Sequence, residues 1–193
     1  MMRDDARRRS AGQRHLVQGQ FTRAGTAYVT SKTHASGDDL ARLVEIAAPQ
    51  PHERVLDVAT GGGHVALALA SQARWVVALD LTPKMIAVAL AHFGRAGVNN
   101  VAAVVADAES LPIATASMDI VTCRIAPHHF LFPERFVEEA ARVLAPNGRF
   151  ILIDSTVPEG SVGTFYNEFE RLRDPSHVRS LTAGEWCDVI TRA

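Results

Sequence analysis

Cysteine is scarce in this sequence. Cys123 and Cys187 stand far apart and match no metal-ligand spacing, so no structural zinc site is expected. Cys123 falls inside a predicted strand, which reads as a buried, reduced thiol and points to a cytoplasmic protein. Long apolar runs are absent as well, and none approaches the length of a membrane span. The first fourteen residues carry five arginines where a secretory leader would be apolar. Charge of one sign is not in excess: the formal net charge is −1, which lacks the basic surplus of a dedicated nucleic-acid binder. There is no internal repeat and no low-complexity stretch. What remains is a 193-residue chain, 47% hydrophobic, with enough apolar content for one α/β domain with a full core.

The chain is organised around Val55 to Ala70. A short apolar run ending Leu56-Asp57-Val58 reads as a buried parallel strand. Gly61-Gly62-Gly63 follows, then an alanine-rich segment that favours helix. A strand, a glycine turn and a helix in that order form a nucleotide cradle, because glycine lets backbone approach a ligand and a helix N-terminus offers unpaired N–H donors.

Further strands are expected at 75–79 (ending at Asp80), 101–106, 118–123 and 150–153. Helices are expected at 40–47, after Thr82-Pro83 and over 133–144, with Pro146-Asn147-Gly148 as the turn into the last strand. Strands alternating with helices imply a parallel, doubly wound sheet. Residues 165–172 and 182–190 read as helices, the second with Thr182 and Glu185 at capping-box spacing. The chain therefore divides into a disordered basic tail (1–14), an N-terminal helical lid (15–48), an α/β core (49–156) and a C-terminal helical segment (157–193). Phe21, Tyr28, Val29 and His34 are candidates for packing over the cleft.

In an open parallel sheet, ligands bind beyond the carboxyl ends of the strands, where the strand order reverses. Asp57, Asp80 and Asp107 each fall at such an end. Gly61-x-Gly63-x-x-Ala66 also satisfies the dinucleotide fingerprint, with Asp80 about twenty residues on. Asp57, however, stands where dehydrogenases usually carry apolar residues. Capping of the following turn or helix is the alternative role for Asp107 and Asp80.

The run Asp57-Val58-Ala59-Thr60-Gly61-Gly62-Gly63 resembles the first motif of class I S-adenosylmethionine-dependent methyltransferases, with Ala59 in place of the first glycine. Leu111-Pro112 and Arg142-Val143-Leu144-x-Pro146-x-Gly148 resemble the branch with the ubiquinone and menaquinone C-methyltransferases, the methyltransferase type 11 domain. The resemblance covers about residues 35–186. It implies that S-adenosyl-L-methionine is the cofactor and that Asp57, Ala59, Gly61, Gly63, Asp80, Leu81, Asp107, Ala108 and Arg124 bind it. Asp80 would accept the ribose hydroxyls, Asp107 with the backbone of Ala108 the adenine amine, and Asp57 would support the methionine end. Charge-assisted hydrogen bonds of this kind contribute roughly 1.5–3 kcal/mol each.

The loop after the fourth strand, Arg124 to Phe130, falls where the resemblance places residues facing the methyl group. A base is needed only if the acceptor must lose a proton, and a histidine suits that. His128 is the first candidate and His129 the second, with structural capping the alternative for both. Arg124 pairs either with the cofactor or acceptor carboxylate or in an ion pair with the protein. The function expected is C- or O-methylation of a small molecule. A nicotinamide oxidoreductase or a cofactor-binding but inactive domain are the competing readings. The resemblance also implies two strands after the fifth that this sequence lacks, so a shortened sheet is expected whose exposed fifth strand invites self-association.

Overall fold

Three strands carry the driest part of the molecule, and their composition explains why. Val55, Leu56, Val58, Val76, Ala78, Ile120 and Val121 have no exposed surface, because helices cover both faces of the sheet they form. The computed structural model describes residues 2–25 and 37–193. Helices α1 (Met2–Ala24) and α2 (Asp38–Ala47) precede β1 (Arg54–Val58), α3 (His64–Ala70), β2 (Trp75–Asp80), α4 (Pro83–Ala96) and β3 (Val101–Val105). Then follow β4 (Met118–Arg124), a single 3-10 turn (Pro127–His129), α5 (Pro133–Val143), β5 (Leu144–Ile153), α6 (Ser161–Arg173) and α7 (Ala183–Thr191). The sheet order is β3-β2-β1-β4-β5, with every pair parallel. The chain steps outward from β1 to β3 and then restarts at β4 on the other side of β1. The switch point lies between β1 and β4, and it opens the crevice in which such sheets bind ligands.

Alternation along each strand divides the core in two. Leu56, Val58, Val77, Leu79 and Val121 face α5 and α7, packing on Phe136, Val137, Ala140, Val143 and Trp186. Val55, Val76, Ala78 and Ile120 face the other way, onto Leu43 and Ala47 of α2, Val65 and Leu69 of α3, and Ala89 and Phe93 of α4. In α5 the buried residues recur at helical spacing, and Phe136 meets Phe130 and Phe150 edge-on at 4.9 and 5.7 Å. Burial of one such ring stabilises the fold by roughly 1.5–3 kcal/mol.

Two features differ from the sequence reading. The sequence reads residues 1–14 as disordered or weakly helical and 15–48 as a separate helical lid. Instead a single helix runs from Met2 to Ala24, and its side chains from Gln13 onward are tied to the ends of three strands. The arginine-rich start hid this helix, since its stabilising partners lie elsewhere in the chain. Tyr28, Val29 and His34, proposed for the lid, lie outside the described residues. Strand β5 also starts earlier than expected. Met118 pairs with Leu144 and Ile120 with Arg149, so the chain advances five residues against two. Pro146-Asn147-Gly148 is thus a bulge within the strand rather than a turn before it, with Asn147 at φ 65°. Strand β5 is an outer strand of the sheet, and no strand follows it among the described residues. None of the described helices is long and apolar enough to cross a membrane.

Candidate functional site

The loop leaving β1 is shaped by its backbone. Thr60 N donates to Leu79 O of β2, and Gly63 N donates to Thr60 O, each at 2.9 Å. Ala59, Gly61 and Gly63 all take positive φ, at 54°, 54° and 81°. Ala59 therefore bears a left-handed conformation that costs a non-glycine residue roughly 1–2 kcal/mol. At Gly63 close approach adds to conformation: a Cβ there would lie 2.6 Å from Phe93 Cε1 and 3.2 Å from Ala89 Cβ.

Asp57 sits under this loop, 1% exposed. It accepts hydrogen bonds from Thr60 Oγ1 at 2.6 Å and from Thr122 Oγ1 at 2.9 Å. Burial pushes its carboxyl up to about 6, against the opposing pull of those two hydroxyls. Asp80, at the end of β2, accepts from Gly61 N at 2.9 Å and Thr82 N at 2.8 Å. Burial raises its carboxyl pKa as well. One lone pair on each Asp80 oxygen supports the loop and the start of α4, which leaves a second pair on each for a ligand. Asp107 accepts from Glu109 N at 3.0 Å and from Arg14 of α1 at 2.9 Å. Neighbouring Glu109, also on the cleft, accepts from Leu131 N and Phe132 N at 2.7 and 2.9 Å, tying the β3 end to the segment entering α5.

Helix α1 lies across the carboxyl ends of the strands. Arg14 reaches Asp107 beyond β3, and Gln18 reaches Leu81 O beyond β2 at 3.0 Å. Gln13 reaches His129 O and Ser176 O at 3.0 and 2.7 Å. The histidine loop beyond β4 is held on its other side. His128 Nδ1 lies 2.6 Å from Asp154 Oδ1, and its carbonyl accepts from Val178 N and Arg179 N at 2.8 and 3.0 Å. His129 Nδ1 lies 3.1 Å from both Ser176 O and Ser176 Oγ, and Phe21 meets its ring edge-on at 5.1 Å. Burial, followed by the nearby His128, lowers the His129 pKa to about 4. Arg124 forms a two-pronged ion pair with Asp39 of α2 at 2.6 and 2.9 Å, its side chain 5% exposed. Cys123 is fully buried, and burial holds its thiol well above the ordinary range, so it is chemically inert.

Asp57, Ala59, Gly61, Asp80, Leu81, Asp107, Ala108, Arg124 and His129 line one open cleft. Gly63 shapes that cleft from behind, and His128 does not line it. Of the two candidate histidines, His129 alone lies on the cleft. Sequence reasoning missed Thr60 and Thr122, Asp154, Ser176, and the cleft-lining α1 side chains other than Phe21. Thr122 had a legible signal, since parallel pairing of β1 with β4 places it beside Asp57. Ser10, Gln13, Arg14 and Val17 of α1 had none. Among the described residues, no three His, Cys, Asp or Glu side chains are grouped to hold a metal ion.

A five-stranded parallel sheet, a glycine loop at its switch point and three strand-end carboxylates on one cleft define a doubly wound α/β protein. The chain belongs to the methyltransferase domain family, whose model matches residues 56–152. It is 41% identical over 167 residues to YcgJ of Bacillus subtilis, an uncharacterised methyltransferase, covering 86% of this chain and 66% of that protein. The crystal structure of YcgJ superposes with a TM-score of 0.78 at 40% identity, over 80% of this chain and 67% of that one. Demethylmenaquinone methyltransferase of Clavibacter sepedonicus is 33% identical over 172 residues, covering 86% of this chain and 69% of the relative. Phosphoethanolamine N-methyltransferase 2 of Haemonchus contortus, solved with S-adenosyl-L-methionine, shares the fold at a TM-score of 0.75 and 20% identity, over 89% of this chain and 40% of that one. The chain thus spans about two thirds of the length of the relative YcgJ. The oxidoreductase alternative finds no support in this family membership.

Proposed function

We propose that this chain binds S-adenosyl-L-methionine in the cleft and directs its methyl group to a small-molecule acceptor. The observation that carries the reading is Asp57. A buried carboxylate under the glycine loop repels the pyrophosphate that a dinucleotide would place there, whereas a ligand bearing an ammonium and a sulfonium supplies the opposite charge. The rest of the donor set fits the same ligand. Asp80 has spare lone pairs for a diol, and desolvation leaves its carboxylate in want of donors. Asp107, with the backbone of Ala108, stands where the resemblance places the adenine amine, and Arg14 shares its Oδ2.

When bound, S-adenosyl-L-methionine supplies an already activated methyl group on a sulfonium. The protein's part is then alignment and exclusion of water. Asp57 and Asp80 fix the ligand at two points on adjacent strands. Helix α1 covers the crevice and the histidine loop forms its far wall, so a nucleophile meets the methyl group in a low-dielectric space.

Asp80→Ala is expected to weaken S-adenosylhomocysteine binding by about ten- to a hundredfold, equivalent to about 1.4–2.8 kcal/mol. The substitution also removes an acceptor from two backbone N–H groups, so affinity is read by calorimetry below the unfolding transition of the variant. Unchanged affinity would return Asp80 to a purely capping role. Association of two copies through the outer strand β5 belongs to the same proposal. It predicts light scattering above the monomer mass, and a monomer at every concentration would contradict it.

A further inference from the structure

We propose that His129 is the catalytic base on the acceptor side, held by Ser176 with its proton on Nδ1 so that Nε2 takes a proton from the acceptor as it is methylated. This rests on the methyl-transfer reading above and goes beyond it, because it assigns the base, its tautomer and the chemistry of the acceptor.

The tautomer follows from hydrogen-bond arithmetic. Ser176 O is a carbonyl and can only accept. Ser176 Oγ is 2.6 Å from Asp174 Oδ1, and a carboxylate accepts, so the hydroxyl proton is committed to Asp174. Both groups facing His129 Nδ1 at 3.1 Å therefore present lone pairs. A neutral ring satisfies them only by carrying its hydrogen on Nδ1, and Nε2 is left with a bare lone pair. The ring lines the cleft, and its Nδ1 edge is turned to Ser176. Nε2 is consequently the nitrogen presented to the acceptor.

The surrounding contacts hold this arrangement rather than compete with it. Gln13 Nε2 donates to both His129 O and Ser176 O, so α1 fastens base and orienting residue together. The carbonyl of His128 binds Val178 N and Arg179 N, which clamps the segment bearing Ser176 against the loop, while its ring is engaged by Asp154. His128 is thus a positioning residue. The titratable groups around His129 are His128, with ring centroids 4.2 Å apart, and His177 and Asp174 on the Ser176 segment. Burial first, then His128 and His177, favour the neutral ring, and Asp174 opposes them weakly.

In the step, the acceptor's O–H or C–H bond breaks and its proton goes to Nε2. The electron pair released forms the bond to the methyl carbon of the sulfonium donor. The carbon–sulfur bond breaks with its pair on sulfur, so one cation, the sulfonium, is replaced by another, the imidazolium. The walls narrow the acceptor class. Val17, Phe21, Ile125, Phe130 and Leu131 are apolar, and Arg14 and Arg124 are engaged by Asp107 and Asp39. A neutral imidazole takes a proton most readily from a relatively acidic O–H or C–H, and the apolar walls disfavour a charged acceptor. The acceptor is therefore a small, largely apolar molecule with a phenol- or enol-type proton.

Two measurements on the full chain test this. Long-range proton–nitrogen NMR on histidine-labelled protein, assigned with His129→Gln, is expected to show His129 with a protonated Nδ1 and a bare Nε2 from about pH 8 to 5.5. A hydrogen on Nε2 overturns the base assignment. Release of S-adenosylhomocysteine from S-adenosyl-L-methionine is then followed with a panel of phenols and 1,3-dicarbonyl compounds. Turnover of at least one is expected, lost by about a hundredfold or more in His129→Gln, while S-adenosylhomocysteine affinity stays within about threefold. Turnover of none overturns the acceptor class, and equal turnover by His129→Gln overturns the base. Failure of the wild-type chain to bind S-adenosylhomocysteine would instead strike at the cofactor reading, which separates the two proposals.

Discussion

Gly63→Ala is expected to lose about 2–5 kcal/mol of folding stability. Two costs act together. Gly63 has φ 81°, a left-handed conformation that costs an alanine roughly 1–2 kcal/mol. Its new Cβ would also lie 2.6 and 2.7 Å from Phe93 Cε1 and Cζ, inside contact distance. Phe93 is 3% exposed and packed in the core beneath α3, so it yields only by straining its neighbours, at roughly 1–3 kcal/mol. Against a typical total of about 5–15 kcal/mol this is a large fraction. Gly61→Ala is the control. Its Cβ would meet nothing nearer than Met85 Cε at 3.9 Å, so only the backbone cost at φ 54° applies. Urea unfolding of both variants measures the difference, and equal losses would show that the Phe93 contact relaxes freely.

Asp57→Asn is expected to stabilise the ligand-free protein at neutral pH and to weaken its cofactor site. The folded carboxyl titrates at about 6, above the ordinary value of 3.8. As pH rises from about 4 to 6 the unfolded chain gives up this proton before the folded one does. The stabilising contribution of the protonated form is therefore complete below about pH 4 and lost above about 6, at a cost of at most about 3 kcal/mol. Asparagine stays neutral and escapes that loss, so the variant should exceed the wild type at about pH 7.5 and match it near pH 4. Binding moves the other way. The ligand's ammonium group is held best by the ionised carboxylate, so wild-type affinity for S-adenosylhomocysteine should fall below about pH 6, and the variant should bind weakly and without that dependence. A variant less stable than the wild type at pH 7.5 would show that the Thr60 and Thr122 hydrogen bonds outweigh desolvation.

The sheet was legible because its signals are local. Apolar runs such as Trp75 to Leu79 end at an acid, and all but the step from β3 to β4 are separated by a helix. The strand-end carboxylates were legible for the same reason, since the end of a parallel strand is a place in the fold as well as in the sequence. Long-range features were not. Helix α1 is held by Gln13, Arg14 and Gln18, whose partners lie 63 to 163 residues away, and nothing in an arginine-rich segment announces them. The different surroundings of His128 and His129 were hidden by the tightness of the 3-10 turn. Successive residues there point about 120° apart, so adjacent histidines enter different surroundings. One meets Asp154 and the other meets Ser176 at the cleft, and only the fold shows which.

Calorimetric titration of the full chain with S-adenosylhomocysteine, and in parallel with NADH, tests the central claim most directly. The account predicts one S-adenosylhomocysteine per chain, bound ten- to a hundredfold more weakly by Asp80→Ala (about 1.4–2.8 kcal/mol), and no binding of NADH. Binding of NADH without binding of S-adenosylhomocysteine would contradict it.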